Sequence, residues 1–120
     1  MKYLVTDDSK LARLSLIKSL KANVGESEIF QAENGLVAVE TMEKEHVDVV
    51  FLDLTMPIMD GYEALPKLLE QNKNAKIVVV SADIQEKAKK QVLALGAQLH
   101  VQKPINVDKM KEILEHINNV

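Results

Sequence analysis

Short, continuous apolar runs alternate along this chain with longer segments whose apolar residues recur every three or four positions. Leu4-Val5 opens the first run, Glu28 to Ala32 predicts a short second strand, and Val47 to Leu52 a third. Ile77 to Val80 and Leu99 to Val101 complete the set. The third and fourth runs contain almost nothing but Val, Ile, Leu and Phe, the pattern of strands covered on both faces.

Between the runs the period changes to that of a helix. Ser9 to Asn23 predicts a first helix, with Ala12, Leu16 and Leu20 on one face, Asp8 or Ser9 at its cap and Gly25 at its end. Asn34-Gly35 turns the chain into a second helix over about Leu36 to Glu45. Asp60 is placed to cap a third that runs toward Glu70. Pro66 should kink that helix unless it falls near the first turn. Ile84, Ala88, Val92 and Leu95 predict the buried stripe of a fourth helix stopped by Gly96, and Val107, Met110, Leu114 and Ile117 that of a fifth. Strands alternating with helices predict an α/β fold, a five-stranded parallel sheet with helices on both faces and right-handed crossovers. No repeat, low-complexity tract or linker interrupts the pattern. The expectation is one domain over 1–120, with no attached output domain.

Composition narrows the function classes. A net charge of −3 gives no electrostatic case for nucleic acid. No apolar run approaches the roughly 20 residues that span a bilayer. The N-terminus enters a strand without a signal-peptide layout, so a cytoplasmic protein is expected. The absence of cysteine excludes disulfides and thiolate metal sites.

The polar residues at the strand ends carry the chemistry. All strands of a parallel sheet end on one edge, where ligands gather. Asp7-Asp8, Asp53, Ser81 and Lys103 each follow a predicted strand, so the topology brings them to one rim. Taken singly, each has a plainer reading as a cap, a turn residue or an exposed lysine. Their joint occurrence, each at its own strand end, points instead to a site. Carboxylates sharing a cleft repel one another until one is protonated or a cation binds. Oxygen donors without cysteine or clustered histidine favour a hard cation, and Mg²⁺ suits a site that handles phosphate.

The quoted residues resemble the receiver domain of bacterial two-component response regulators across essentially the whole chain. The motifs are Asp7-Asp8-Ser9 with Arg13, Asn34-Gly35, Asp53-Leu54-Thr55-Met56-Pro57-Ile58-Met59-Asp60-Gly61, Ser81-Ala82, and Gly96-Ala97 leading to Lys103-Pro104. The resemblance implies the flavodoxin-like strand order 2-1-3-4-5, the order known for chemotaxis receivers. It implies that Asp53 is the phosphoacceptor, and that Asp8, Asp53 and the backbone carbonyl of Thr55 bind Mg²⁺ directly while Asp7 acts through a metal-bound water. Ser81 and Lys103 resemble the hydroxyl and the lysine that meet the phosphoryl oxygens, and the Lys103-Pro104 bond resembles the family's cis peptide. Thr55 and Asp83 stand where the family borders the path of the hydrolytic water, so they are expected to tune the lifetime of the phosphoryl group. His100 stands at the switch position usually held by Tyr or Phe. There it adds a proton-dependent cost to moving inward, so acidification is expected to disfavour the active conformation.

The implied function is a stand-alone response regulator. It would take a phosphoryl group from a histidine kinase or histidine phosphotransfer protein and signal to a protein target, chemotaxis and the flagellar switch being the expected output. Apart from self-phosphorylation and autodephosphorylation it is not expected to be an enzyme. A phosphorelay shuttle or phosphate sink is the near alternative. A flavodoxin-like cofactor binder is a distant one, since the acids of Thr6-Asp7-Asp8-Ser9-Lys10 would repel a flavin phosphate. A carboxylate-based phosphohydrolase would need substrate-binding elements for which the chain has no room. Leu11 and Leu14 fall off the predicted core stripe of the first helix, close to Asp8, and are candidates for docking a kinase or phosphotransfer helix.

Overall fold

The computed structural model describes residues 1–25, 27–82 and 85–118. The elements run β1 (Lys2–Thr6), α1 (Lys10–Val24), β2 (Glu28–Ala32), α2 (Gly35–Glu45) and β3 (Val49–Leu52). They continue as α3 (Gly61–Gln71), β4 (Lys76–Ser81), α4 (Glu86–Ala94), β5 (Leu99–Gln102) and α5 (Val107–Asn118). The strands form one sheet in the order β2-β1-β3-β4-β5, all neighbours parallel.

Alternation along the strands divides the core into two layers. Tyr3 and Val5 of β1, Val49 and Phe51 of β3, and Val78 and Val80 of β4 face one side, against Leu16, Ile17 and Leu20 of α1 and Met110, Ile113, Leu114 and Ile117 of α5. Leu4, Val50, Leu52, Ile77 and Val79 face the other, against Ala38 and Met42 of α2, Ala64, Leu65 and Leu68 of α3, and Val92 of α4. β3 and β4 lie inside the sheet with both faces covered, which is why Val49–Leu52 and Ile77–Val80 are apolar throughout. Burying a side chain such as Phe51 or Leu65 contributes about 1.5–3 kcal/mol.

The helix starts follow cap chemistry. The side chains of Ser9, Asn34 and Asp60 accept from the backbone N–H of Ala12, Val37 and Glu63. Three details depart from the sequence pattern. Val107 is 46% exposed at the start of α5, and Ile113 joins the buried face in its place. Ala12 is only half-buried, whereas Ile17 and Ser19 join Leu16 and Leu20 inside. Pro66 lies midway along α3, yet the helix continues through it. One rung of the helical ladder is lost there, and the burial of Leu65 and Leu68 on either side holds the helix to the sheet. Ala88 and Val92 form the buried face of α4, and Leu95 is its C-cap. Ile84, expected in that stripe, and Asp83 lie outside the described residues.

Candidate functional site

One further hydrogen bond past each strand end places the rim residues. The Asp7 N–H donates to the Ala32 carbonyl at 3.1 Å, extending the β1–β2 ladder by one rung. The Asp53 N–H donates to the Thr6 carbonyl at 3.0 Å, doing the same for β1 and β3. The Lys103 N–H donates to the Ser81 carbonyl at 3.0 Å beyond the β4–β5 pairing. Backbone pairing therefore fixes where these side chains begin. Asp7 and Asp53 are buried, at 5% and 6% exposure, while Asp8 is exposed.

The three acids converge, each offering a carboxylate oxygen within 4.8 Å of the others. Asp7 Oδ2 accepts from Lys103 Nζ at 2.5 Å, and Asp53 Oδ2 accepts from the same ammonium at 3.2 Å. The remaining oxygens also have donors, Ser9 N–H to Asp7 Oδ1 at 2.9 Å and Leu54 N–H to Asp53 Oδ1 at 2.8 Å. Burial pushes the Asp53 carboxyl above the usual range and the Asp7 charge adds to it. Lys103 and the Leu54 N–H pull it back only in part. Burial pulls the Lys103 ammonium down, but its hydrogen bond to Asp7 and the charges of Asp53 and Asp7 outweigh this and hold it above its ordinary value.

The donor set fits a small hard cation. With Mg–O bonds of about 2.1 Å, two ligands of one ion stand at most roughly 4.2 Å apart, so oxygens gathered within 4.8 Å need only a small adjustment to share one. Thr55 is exposed just beyond Asp53, and Ser81 is buried at the end of β4. The Lys103–Pro104 peptide is cis. His100 is half-buried in β5 opposite Val79, with Nε2 enclosed and without a hydrogen-bond partner among the described residues.

The loop from β3 to α3 is closed by contacts that only glycine permits. A Cβ on Gly61 would lie 2.2 Å from the Asp53 carbonyl oxygen, and one on Gly35 would lie 2.6 Å from that of Met59. In return, the Gly61 N–H donates to Leu54 O at 3.0 Å and the Gly35 N–H to Met59 O at 2.9 Å. Between them Ile58 is held at φ 69°, an uncommon conformation for a β-branched residue, while the Met59 N–H bonds Pro57 O across it.

A family model described as the response regulator receiver domain matches residues 3–115. The chain belongs to the response regulator receiver family. A chemotaxis protein CheY from Listeria monocytogenes is 35% identical to this receiver over 115 residues, 96% of each chain. The CheY of Treponema pallidum is 38% identical over 121 residues, covering 99% of this chain and 81% of that protein. Among solved structures, a CheX–CheY–BeF3–Mg²⁺ complex from Borrelia burgdorferi superimposes with a TM-score of 0.87 at 30% identity, covering 99% of this chain and 87% of that one. The strand order observed here is the one the resemblance implied.

Arg13 and Gly61 enter the sequence motifs without a task, and Gly35 only as part of a turn into α2. Two glycines flanking cap-type residues are a signal of close backbone approach, but which backbone approaches is decided by the fold. Arg13 gives no comparable signal, because its partners are a main-chain carbonyl and a residue of β2.

Proposed function

We propose that this receiver accepts a phosphoryl group on Asp53 from a phosphohistidine of a kinase or phosphotransfer protein. The observation that carries the reading is the buried Asp53 carboxylate, held among two further acids and within hydrogen-bond reach of Lys103. An Asp53 oxygen attacks phosphorus, the O–P bond forms as the N–P bond breaks, and the electron pair leaves with the imidazole nitrogen. Asp8, Asp53 and the Thr55 carbonyl would hold Mg²⁺ directly and Asp7 through water. Bound there, the ion supplies positive charge beside the carboxylates and the transferring oxygens.

Asp7, proposed for the indirect role, accepts from the Ser9 N–H and from Lys103. Lys103 offers a point charge to the phosphoryl group and Ser81 a hydroxyl. Thr55 and Asp83 tune its lifetime, and His100 is the switch position.

The chemotaxis names of the relatives support chemotaxis as the output; the flagellar switch is the proposed target and the cytoplasm the proposed location. Leu11 and Leu14, at 81% and 45% exposure on α1, form the docking edge for the phosphodonor. Beside them, a cavity of about 90 Å³ between α1 and the β5–α5 loop is lined by Ala12, Ser15, Leu16, Pro104 and Ile105 and reaches Asp7 and Lys103.

Intact-mass measurement after incubation with Mg²⁺ and a small acyl phosphate tests the reading. Wild type should gain one phosphoryl group and Asp53→Asn none. Full phosphorylation of Asp53→Asn would overturn it. Onward transfer from phosphorylated wild type to a histidine protein would place the chain in a relay rather than at its output.

A further inference from the structure

Adjacent residues of an extended chain point to opposite faces, yet Asp7 and Asp8 both deliver a carboxylate to one cluster. The chain must therefore turn at the peptide that joins them, and the direction of that peptide sets where the Asp8 side chain begins. The peptide is planar, so fixing its carbonyl fixes the N–H and Cα of Asp8. In this structure the carbonyl is held. The Asp7 oxygen accepts from Arg13 Nη1 at 2.8 Å. The same guanidinium is anchored at a second point, where Nε donates to Gln31 Oε1 of β2 at 3.0 Å. Two donors in one rigid plane, each on its own acceptor, define the orientation of the group as a single ammonium cannot.

We infer that Arg13 is a positioning residue for the metal site, holding the Asp7–Asp8 peptide so that the Asp8 carboxylate meets those of Asp7 and Asp53. The inference rests on the proposed Mg²⁺ site. Arg13 sits one helical turn beyond the Ser9 cap, and its N–H bonds the Ser9 carbonyl at 3.0 Å, so α1 itself carries the brace. Gln31 ties the brace to the edge strand. Asp7 is thereby held at its N–H, its carbonyl and both carboxylate oxygens. The exposed Asp8 depends on its neighbour for placement.

Charge and positioning predict opposite signs. A guanidinium beside a cation site repels the cation, so removing it for charge reasons alone should tighten Mg²⁺ binding. If Arg13 positions Asp8, removing it should weaken binding, by about tenfold as for other outer partners of metal ligands. Mg²⁺ titration followed by amide NMR shifts, on the full chain, separates the two. Arg13→Ala should bind about tenfold more weakly. Arg13→Lys keeps the charge and the stem but not the fork, so it should also bind more weakly, and it is the variant to read should Arg13→Ala fold poorly. In both, the Asp8 and Ser9 amide signals should move before any metal is added. Phosphorylation by a small acyl phosphate should slow at low Mg²⁺ and recover at saturating Mg²⁺. Mg²⁺ affinity equal to or tighter than wild type in Arg13→Lys would overturn the inference. Asp8→Asn is the control for the site itself. If it binds Mg²⁺ like wild type, the metal-site reading fails. If it binds weakly while Arg13→Lys binds normally, the site stands and the role of Arg13 falls.

Discussion

At the strand beginnings of this sheet, cations stand over helix C-termini; at the strand ends, three carboxylates crowd together. Lys2 Nζ donates to the Glu45 carbonyl at the end of α2 at 3.1 Å and lies 3.5 Å and 3.9 Å from Glu45 and Glu28 carboxylates. Lys76 Nζ donates to the Ile117 carbonyl in the last turn of α5. Both arrangements place positive charge where helix dipoles end, in partial contact with water. The opposite rim shows the reverse economy. Asp7 and Asp53 share one ammonium, Ile58 is held at positive φ, and the buried Thr6 hydroxyl has no partner among the described residues. Locally unfavourable features gathered at one edge mark the place where binding, rather than folding, is being served.

That contrast can be broken most severely at Gly61. Gly61→Ala should cost about 2–3 kcal/mol in chemical denaturation, since the clashing atoms are backbone rather than a movable side chain. Equal stability of variant and wild type would mean that the rim is looser than its geometry.

Removing charge at the rim should have a smaller effect of opposite sign. The Asp53 carboxyl is raised by folding, so the folded chain retains its proton at a higher pH than the unfolded chain. Its contribution to stability therefore falls as pH rises through the unfolded value, about 4, toward the folded one. Asp53→Asn should match wild type in strong acid and exceed it at neutral pH by on the order of 1 kcal/mol in metal-free buffer. Mg²⁺ should narrow the gap by stabilising wild type alone. Thermal melts across pH check both, and an Asp53→Asn advantage that grows toward acid would reverse the argument.

The smallest effect belongs to the other end. Lys2→Ala should lose about 0.5 kcal/mol, and high salt should shrink the difference. A larger loss that ignores salt would show that this end, too, depends on buried polar contacts rather than screened charge.

The clearest sequence signals came from residues whose role is set by local pattern. β3 and β4 were legible because both faces are buried, so nearly every position had to be apolar. Ser9 and Asp60 were legible because a cap needs only its own helix. Val107 misled because an apolar residue in the right period can still fall at the first helical position, where the face it points to is not yet covered. Pro66 lies inside α3, where the burial of Leu65 and Leu68 beside it offsets the lost rung. In the site, Asp7, Asp8, Asp53, Ser81 and Lys103 could be assigned to one rim from strand ends alone.

By itself the sequence determined the alternation of elements, the two-sided burial of the central strands and the identity of the acids at their ends, because each depends on composition and period within one segment. Only the tertiary structure decided that Lys103 bridges Asp7 and Asp53, that Arg13 reaches the Asp7 carbonyl, and that the Asp53 carbonyl leaves no room for a side chain at residue 61. Those are distances between segments far apart in the chain, and they come into being only when the sheet brings the segments together.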